Sequence, residues 1–332
     1  MNRNPYFDNL KAMLIILVVL GHILSEMVDE NIWLASIYMF IYLFHMPAFV
    51  LISGHFSRVV KTKKDLWNLA KKLLIPYAIF QVIYTMYYTR VFGENIEMSF
   101  IDPRWALWFL ISMFCWNLLL FVYPRNKKGL LLSVVVSLIV GYIGNINETL
   151  TLARTFFFFP FFLLGYILKD KHFEQLKIKT NVGLSWLLFG LLFVAICYFG
   201  DIHWKEWLYG RIPYKEINDG PTTYGFLNRM IAYLFMGAAT YCFLSIAPKK
   251  QLTITRIGSI TLIVYLLHMF IVKYIQNSYL YDWVEKTNQY YVLFVLPFVV
   301  VYILTRKIII KVGFLLLGVR IRRNRKKILQ TK

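Results

Sequence analysis

The chain has few charged residues, and this scarcity argues against a soluble protein. Asp, Glu, Lys and Arg make up 16% of its 332 residues, whereas hydrophobic residues make up 59%. The apolar residues come in runs long enough to cross a bilayer, which takes about 20 residues per α-helix. The composition therefore predicts an all-α, polytopic membrane protein.

Cysteine is also scarce. The three residues Cys115, Cys197 and Cys242 fall within predicted helices, at spacings that fit no zinc or disulfide pattern. We expect them to be packing residues and expect no bound metal. The first apolar run lacks a basic leader and a small-residue cleavage site, which predicts a retained helix rather than a signal peptide. No internal repeat of the kind that marks many secondary transporters is evident.

Charged or turn-forming residues divide the apolar sequence into ten predicted transmembrane helices. The predicted spans are 10–27, 33–54, 67–88, 105–123, 130–144, 154–168, 182–200, 225–246, 257–275 and 290–316. The fifth and sixth are short for a full crossing. We divide the chain into a transmembrane domain, residues 1–316, and a basic cytoplasmic tail, residues 317–332.

Acidic residues are outnumbered by basic ones, 17 to 37, and the basic residues predict the orientation. Placing both termini in the cytoplasm puts most of the Lys and Arg on the inner side, as the positive-inside rule requires. The net charge of +20 then follows from topology, because basic inner segments also meet anionic lipid. Nucleic-acid binding is not needed to explain it.

Titratable side chains at bilayer depth are costly, so each is a candidate functional residue. Three histidines lie well inside predicted helices: His22, His45 and His268. His22 follows Lys11 by eleven residues, about 16 Å along a helix and roughly 20° around its axis. The first helix thus presents Asp8 and Lys11 at the cytoplasmic edge and His22 about three turns deeper, on nearly the same face.

The other two histidines have neighbours that could serve structure or function. Pro47 follows His45 and frees a backbone carbonyl near it, and Ser53 with the next glycine allows a close backbone approach or a hinge. Tyr265 precedes His268 by three residues, so both face the same way. Hydrogen-bonded packing within the bundle would explain these residues as well as a functional role does.

Two arginines and several aromatic residues lie at the predicted outer boundary. Arg104 and Arg154 each open a predicted helix, where an arginine commonly extends its charge to water. The longest polar outer loop carries Trp204 and Trp207. Aromatic faces beside charged groups suit sugar binding, and they suit anchoring at the membrane interface equally well.

Carboxylates are missing from the membrane core of the predicted bundle. Their absence argues against a carboxylate-lined proton or cation path and against a carboxylate dyad. It leaves an imidazole, His22, as the group suited to proton transfer near neutral pH. Such an imidazole could deprotonate a hydroxyl or attack an activated acyl group itself.

Five stretches of the chain together resemble the integral-membrane acyltransferase 3 family, the O-acyltransferases that modify bacterial cell-surface glycans. They are YFDNLKAMLIILVVLGH, FHMPAFVLISGHF, ALWFLISMF, RTFFFFPFFLLGY and YLLH, in the expected order. In this family the first motif is typically an Arg, ten residues and the functional His. Here Lys11 takes the first position and His22 the last. Lys keeps the charge but loses the bidentate fork that suits phosphate.

The resemblance implies a membrane-bound enzyme of the bacterial cytoplasmic membrane. It would transfer an acyl group, usually acetyl, from cytoplasmic acyl-CoA to a hydroxyl of a surface glycan or its lipid-linked precursor. His22 would act as general base or as acyl carrier, and the residues do not decide between these roles. Many family members carry a second, extracytoplasmic esterase-like domain, and we expect no such domain in this chain.

Further site residues are predicted around His22. The supporting polar residues within the membrane are His45, Ser53, Arg154, Tyr265 and His268. The predicted acyl-CoA site consists of Lys11, Arg58, Lys61, Lys63 and Lys64, where positive-inside charge alone would also explain the loop lysines. The predicted acceptor site consists of Arg104, Trp108, Trp204 and Trp207.

Partners and an alternative function complete the expectations. The expected partners are membrane lipids, the acceptor glycan and, for glycan assembly, other proteins or a second copy of the chain. The alternative function is a transporter of a glycan or glycolipid without covalent chemistry. That alternative predicts a polar cavity through the bundle and activity that survives loss of His22.

Overall fold

A computed structural model describes residues 4–144, 149–217 and 222–317. Within these ranges the regular elements are helices, and no strand is present. The α-helices are α1 (Pro5–Leu24), α2 (Ile32–His55), α3 (Lys63–Tyr87), α4 (Trp108–Val122), α5 (Lys127–Val140), α6 (Leu152–Ile167), α7 (Asp170–Gln175), α8 (Lys179–Phe199), α9 (Lys205–Tyr209), α10 (Tyr214–Ile217), α11 (Gly225–Ile246), α12 (Thr261–Gln276), α13 (Tyr279–Thr287), α14 (Tyr291–Leu304) and α15 (Lys307–Leu316). The predicted all-helical fold is confirmed for these residues.

Helix α1 is largely buried and packs against α2, α12 and α14. It begins at Pro5, where a missing N–H costs nothing. The side chain of Asn4 caps it by accepting a hydrogen bond from the backbone N of Tyr6 at 3.0 Å. Leu14 and Ile15 on this helix are fully buried. Because α1 is enclosed by its neighbours, its polar side chains are held inside the bundle.

Helices α2 and α6 approach each other backbone to backbone. A Cβ atom on Gly54 would lie 2.0 Å from the carbonyl oxygen of Phe162, and a Cβ on Gly165 would lie 1.9 Å from that of Leu51. Only glycine permits such an approach, which lets helices interlock within a membrane. Of the two roles predicted for the glycine after Ser53, the structure therefore shows close packing.

In the part of the chain that the structure describes, five helices are long and apolar enough to cross a membrane alone: Pro5–Leu24, Ile32–His55, Trp105–Val122, Lys179–Phe199 and Gly225–Ile246. Two further spans are broken pairs, and counting each pair as one span gives up to seven. In one pair, Thr253–Ser259 and α12 meet at 92°, and in the other, α14 and α15 meet at 70°. The ten predicted crossings and the cytoplasmic termini stay predictions.

The shortfall from ten has local causes. Helix α3 carries five charged residues between Lys63 and Lys72, and α5 and α6 have only 14 and 16 residues. The predicted spans 257–275 and 290–316 are interrupted, the second at Arg306, whose extended backbone ends one helix before the next begins. All but the first residue of the predicted basic tail, 317–332, lies outside the described residues.

Candidate functional site

A large cavity runs beside α1 and α2. Its volume is about 1780 Å³, and its lining follows α1 from Lys11 past His22 to Glu26, just beyond the helix. The helical part of that path, from Lys11 to Leu24, rises about 20 Å at roughly 1.5 Å per residue. Along α2 the lining extends from Tyr38 to Ser57, beyond the helix end. The cavity therefore reaches both ends of these two helices, which the sequence assigns to opposite sides of the membrane.

His22 lines this cavity and is half-buried. Its ring contacts that of His268, with centroids 5.3 Å apart and planes at 42°. Its carbonyl oxygen accepts hydrogen bonds from Gln276 Nε2 at 2.7 Å and Ser25 Oγ at 2.9 Å, which fix this point of α1. No described residue forms a hydrogen bond with the ring nitrogens of His22. They are available to a substrate in the cavity.

His45 and His268 are buried, and each is anchored to its own helix. Nδ1 of His45 donates to the carbonyl of Ile41 at 2.8 Å, and Nδ1 of His268 donates to that of Tyr265 at 2.7 Å. A carbonyl only accepts, so the ring proton is on Nδ1 and Nε2 keeps its lone pair. His45 lines the cavity and packs edge-on against Tyr42. His268 lies behind His22.

A cation and two aromatic side chains form the wall of the cavity near His22. The Arg154 guanidinium lies 5.0 Å from the ring centroid of Trp108. The Tyr265 hydroxyl donates to the carbonyl of Ala106. Arg154, Trp108 and Tyr265 all line the cavity that contains the His22 ring. A guanidinium placed there could stabilise negative charge that develops on an oxygen during group transfer.

One end of the cavity is lined by five basic residues and one carboxylate, namely Lys11, Arg58, Lys61, Lys72, Arg125 and Asp65. Nζ of Lys11 lies 4.0 Å from Asp8 Oδ1 and 4.3 Å from the ring centroid of Phe56. Three of these five basic residues were predicted as the acyl-CoA site. Lys72 and Arg125 were not, because their approach to Lys11 depends on how α3 and the α4–α5 turn pack.

The predicted Lys63 and Lys64 do not line the cavity. They lie exposed in the first turn of α3, which is capped by Thr62. The Thr62 hydroxyl accepts from the backbone N of Asp65 at 3.1 Å, and the Asp65 carboxylate accepts from the backbone N of Lys61 and Thr62. Hydrogen bonds from Thr62 and Lys61 hold the pKa of Asp65 below its usual value.

The other end of the cavity carries charges of both signs: Glu26, Glu94, Asp102, Arg104, Lys205, Glu206 and Arg211. Arg211 forms a bidentate pair with Glu206, at 2.9 and 2.8 Å. Nη2 of Arg104 donates to the carbonyl of Glu97 at 2.6 Å. The carboxylates and cations at this end could bind the hydroxyls of a polar molecule.

The four predicted acceptor residues divide into two groups. Arg104 and Trp108 line the cavity. Trp204 and Trp207 do not line it, because Trp207 is 4% exposed in the hydrophobic core and packs on Tyr214, while Trp204 packs against Trp207. These two rings hold the outer loop onto the bundle.

Two tyrosines on α2 that line the cavity, Tyr38 and Tyr42, were not predicted as site residues. Tyr38 and Tyr42 on α2 and Tyr209 on α9 line the cavity, and the hydroxyls of Tyr38 and Tyr209 share a hydrogen bond. The rings of Tyr42 and Tyr209 are 5.1 Å apart. Tyr38, Tyr42 and His45 are spaced four and three residues apart, which places them on one helix face. That spacing in the sequence could have predicted that Tyr38 and Tyr42 lie on the same side of α2 as His45.

A family model described as an acyltransferase domain matches residues 4–306. The chain belongs to the acyltransferase 3 family. The resemblance of the five sequence motifs is thereby confirmed. The match covers every residue that lines the cavity. Acyltransferase 3 membership indicates an enzyme that transfers acyl groups and, together with the apolar helices, a multi-pass membrane protein.

Two proteins similar to this acyltransferase 3 chain carry the name nodulation protein NolL. The one from Sinorhizobium fredii is 25% identical over 293 residues, covering 80% of this chain and 77% of its own length. The one from Mesorhizobium japonicum is 25% identical over 217 residues, and the match spans 60% of this chain and 57% of that relative. No solved structure matched the chain.

The described residues were also compared with the ligand sets that bind metal ions. Among residues 4–144, 149–217 and 222–317 no three His, Cys, Asp or Glu side chains are grouped so that they could hold a metal ion. Cys115 and Cys197 are half-buried free thiols, and Cys242 is a buried one.

Proposed function

We propose that this protein transfers an acyl group, acetyl in the simplest case, from cytoplasmic acyl-CoA to a hydroxyl of a cell-surface glycan or its lipid-linked precursor. Membership of an acyltransferase family supports the chemistry. One observation carries the proposal: the imidazole of His22 lies in a cavity whose basic end and mixed-charge end lie on opposite sides of it.

The donor would enter at the basic end. CoA carries several phosphate charges, which Lys11, Arg58, Lys72 and Arg125 at this end can neutralise. The rise of about 16 Å from Lys11 to His22 is one that the extended pantetheine arm can span. In this arrangement the basic end faces the cytoplasm of a bacterial cell, and both chain termini lie there.

The proton and the acyl group can move by two routes. In one, His22 removes the proton of the acceptor hydroxyl while the oxygen of that hydroxyl attacks the thioester carbonyl. A C–O bond forms, the C–S bond breaks, and the CoA thiolate takes the proton from His22. In the other, the lone pair of His22 attacks the thioester carbonyl, the C–S bond breaks, and the CoA thiolate takes the proton of the second ring nitrogen. The hydroxyl of the acceptor then attacks the acyl-imidazole, the C–N bond breaks, and the hydroxyl proton returns to His22. Arg154 would stabilise the oxyanion in both.

The acceptor would enter at the mixed-charge end. The carboxylates of Glu26 and Glu206 can accept hydrogen bonds from sugar hydroxyls, and Arg104 and Arg211 can donate. The rings of Tyr42 and the other cavity tyrosines offer flat surfaces for the apolar face of a sugar. The acceptor proposed here is therefore a glycan rather than a purely apolar molecule.

Labelled acetyl-CoA tests the proposal. Membranes containing the wild type, His22→Ala or His203→Ala are incubated with it, and label in glycan or as free acetate is measured. His203 is a matched control, because it is exposed in the outer loop and pairs with Asp201. We expect transfer by the wild type and His203→Ala, and a loss of about 100-fold or more in His22→Ala. Equal turnover by all three would remove His22 from the mechanism.

A glycan transporter is the competing function, because it too requires a cavity that reaches both ends of α1. It predicts that the glycan crosses the membrane without gaining label and that crossing is the same in His22→Ala. Mass spectrometry of surface glycans from cells with and without the protein separates the two functions, since only the enzyme adds the mass of an acyl group.

A further inference from the structure

One buried nitrogen beside the proposed catalytic residue has no hydrogen-bond partner in the described chain. It is Nε2 of His268, whose side chain is fully buried on α12. A buried polar atom left without a partner is costly, and in a native protein it requires an explanation. The ring next to it is that of His22, on α1.

The protonation of His268 is determined by its other nitrogen. Nδ1 lies 2.7 Å from the carbonyl of Tyr265 and 3.2 Å from that of Val264. Both oxygens are acceptors, so Nδ1 carries the hydrogen and Nε2 of the neutral ring can only accept. His268 therefore offers an acceptor of fixed position toward the bundle interior.

The spacing of the two rings suits a hydrogen bond. Their centroids are 5.3 Å apart. A ring nitrogen lies about 1.1 Å from its centroid, so two facing nitrogens would be about 3 Å apart, within hydrogen-bond range. The structure does not contain this bond. A turn of the half-buried His22 ring about its Cβ–Cγ bond would form it.

We propose that His268 is a positioning residue that fixes the tautomer of His22. Nε2 of His268 accepts a hydrogen bond from one ring N–H of His22, which directs the lone pair of the other His22 nitrogen into the cavity. The chain of contacts runs from the Tyr265 carbonyl through His268 to His22. This inference rests on the proposed function, in which His22 acts through that lone pair.

The arrangement serves the purpose that a buried carboxylate serves in a catalytic triad. A histidine that acts as a base must present an unprotonated nitrogen to the substrate. The group that accepts a hydrogen bond from its other ring nitrogen selects that tautomer. His268 does this as a neutral acceptor, so no anion has to be buried beside His22. When His22 takes a proton, the second N–H remains hydrogen-bonded to His268, which stabilises the imidazolium.

Two variants of the full-length protein in lipid nanodiscs test the positioning role. His268→Gln keeps an acceptor oxygen near the former position of Nε2, whereas His268→Met has similar length and only a weak acceptor. We expect His268→Met to lower kcat at least about 10-fold with the KM for acetyl-CoA within about twofold, and His268→Gln to restore most of kcat. A Gln variant as impaired as the Met variant, or a Met variant with normal kcat, would overturn the proposal.

The ¹⁵N NMR spectrum of histidine-labelled protein supplies a readout independent of turnover. The signals of His22 are assigned by their loss in His22→Ala. We expect one protonated and one unprotonated nitrogen in the wild type and an averaged pair in His268→Met. Averaged shifts in the wild type would refute the fixed tautomer. A fixed tautomer in a protein that transfers no acyl group would support the positioning role of His268 and refute the proposed function. If His268→Met does not fold, the wild-type spectrum still decides whether the tautomer of His22 is fixed.

Discussion

The glycine contacts between α2 and α6 lead to a prediction about stability. In Gly165→Ala the new Cβ would lie 1.9 Å from the carbonyl oxygen of Leu51. Ordinary contacts between carbon and oxygen are longer by more than 1 Å, and both atoms belong to backbone that cannot rotate away. The helices must therefore separate. Overpacking of this kind costs about 1–3 kcal/mol, and the rigid contact places this site at the upper end.

The control for this substitution is Gly190→Ala on α8. A Cβ at Gly190 meets nothing within 4 Å, and alanine is favoured over glycine in a helix by up to about 1 kcal/mol. We expect Gly165→Ala to lower the melting temperature by several degrees and Gly190→Ala to leave it unchanged or raise it. A thiol-reactive dye that reports exposure of the three free cysteines during heating measures both.

The double variant Gly54→Ala, Gly165→Ala sharpens the test. Both new Cβ atoms push apart the same pair of helices, since that on Gly54 would lie 2.0 Å from the carbonyl of Phe162. Once one substitution has separated them, the second costs less, so the losses should be less than additive. A Gly165→Ala protein with wild-type stability and acyl transfer, or strictly additive losses, would refute the close-packing argument.

Two further predictions concern the basic end of the cavity and the half-buried Lys177. Arg58→Ala should raise the KM for acetyl-CoA several-fold with little change in kcat. Lys63 lies outside the cavity, so Lys63→Ala should leave the KM unchanged. Equal effects of the two substitutions on the KM would contradict the assignment of the donor end. Lys177→Met removes the donor to the carbonyls of Leu244, Ser245 and Ala247 at the end of α11. The Lys177→Met substitution should lower the free energy of unfolding by about 1–3 kcal/mol, measured by thermal unfolding. An unchanged melting temperature would show that water can replace the amine as the donor to these carbonyls.

Local regularity explains which site features the sequence could predict. An α-helix repeats every 3.6 residues, so the stripe from Lys11 to His22 follows from spacing alone, and both residues line one cavity. The family motifs were readable for the same reason, as each lies within one continuous segment. The spacing of Tyr38, Tyr42 and His45 belongs to the same class of signal.

Features that depend on distant contacts could not be predicted. His22 and His268 are far apart in sequence, and nothing local shows that their rings meet. Hydropathy identified the apolar run 257–275 but not the 92° bend that begins α12, because hydropathy carries no direction. The burial of Trp207 depends on a core formed by several helices, whereas its sequence neighbourhood is polar.

The continuity of the cavity from Lys11 to Glu26 has an electrical consequence under the proposed function. An acetyl group is neutral, so its passage does no work against the membrane potential. A whole CoA molecule would carry several negative charges, each worth about 2.3 kcal/mol per 100 mV. A bundle that transfers only the small fragment keeps the charged carrier in the compartment where it is reloaded, and the modification of an outer sugar proceeds at any membrane voltage.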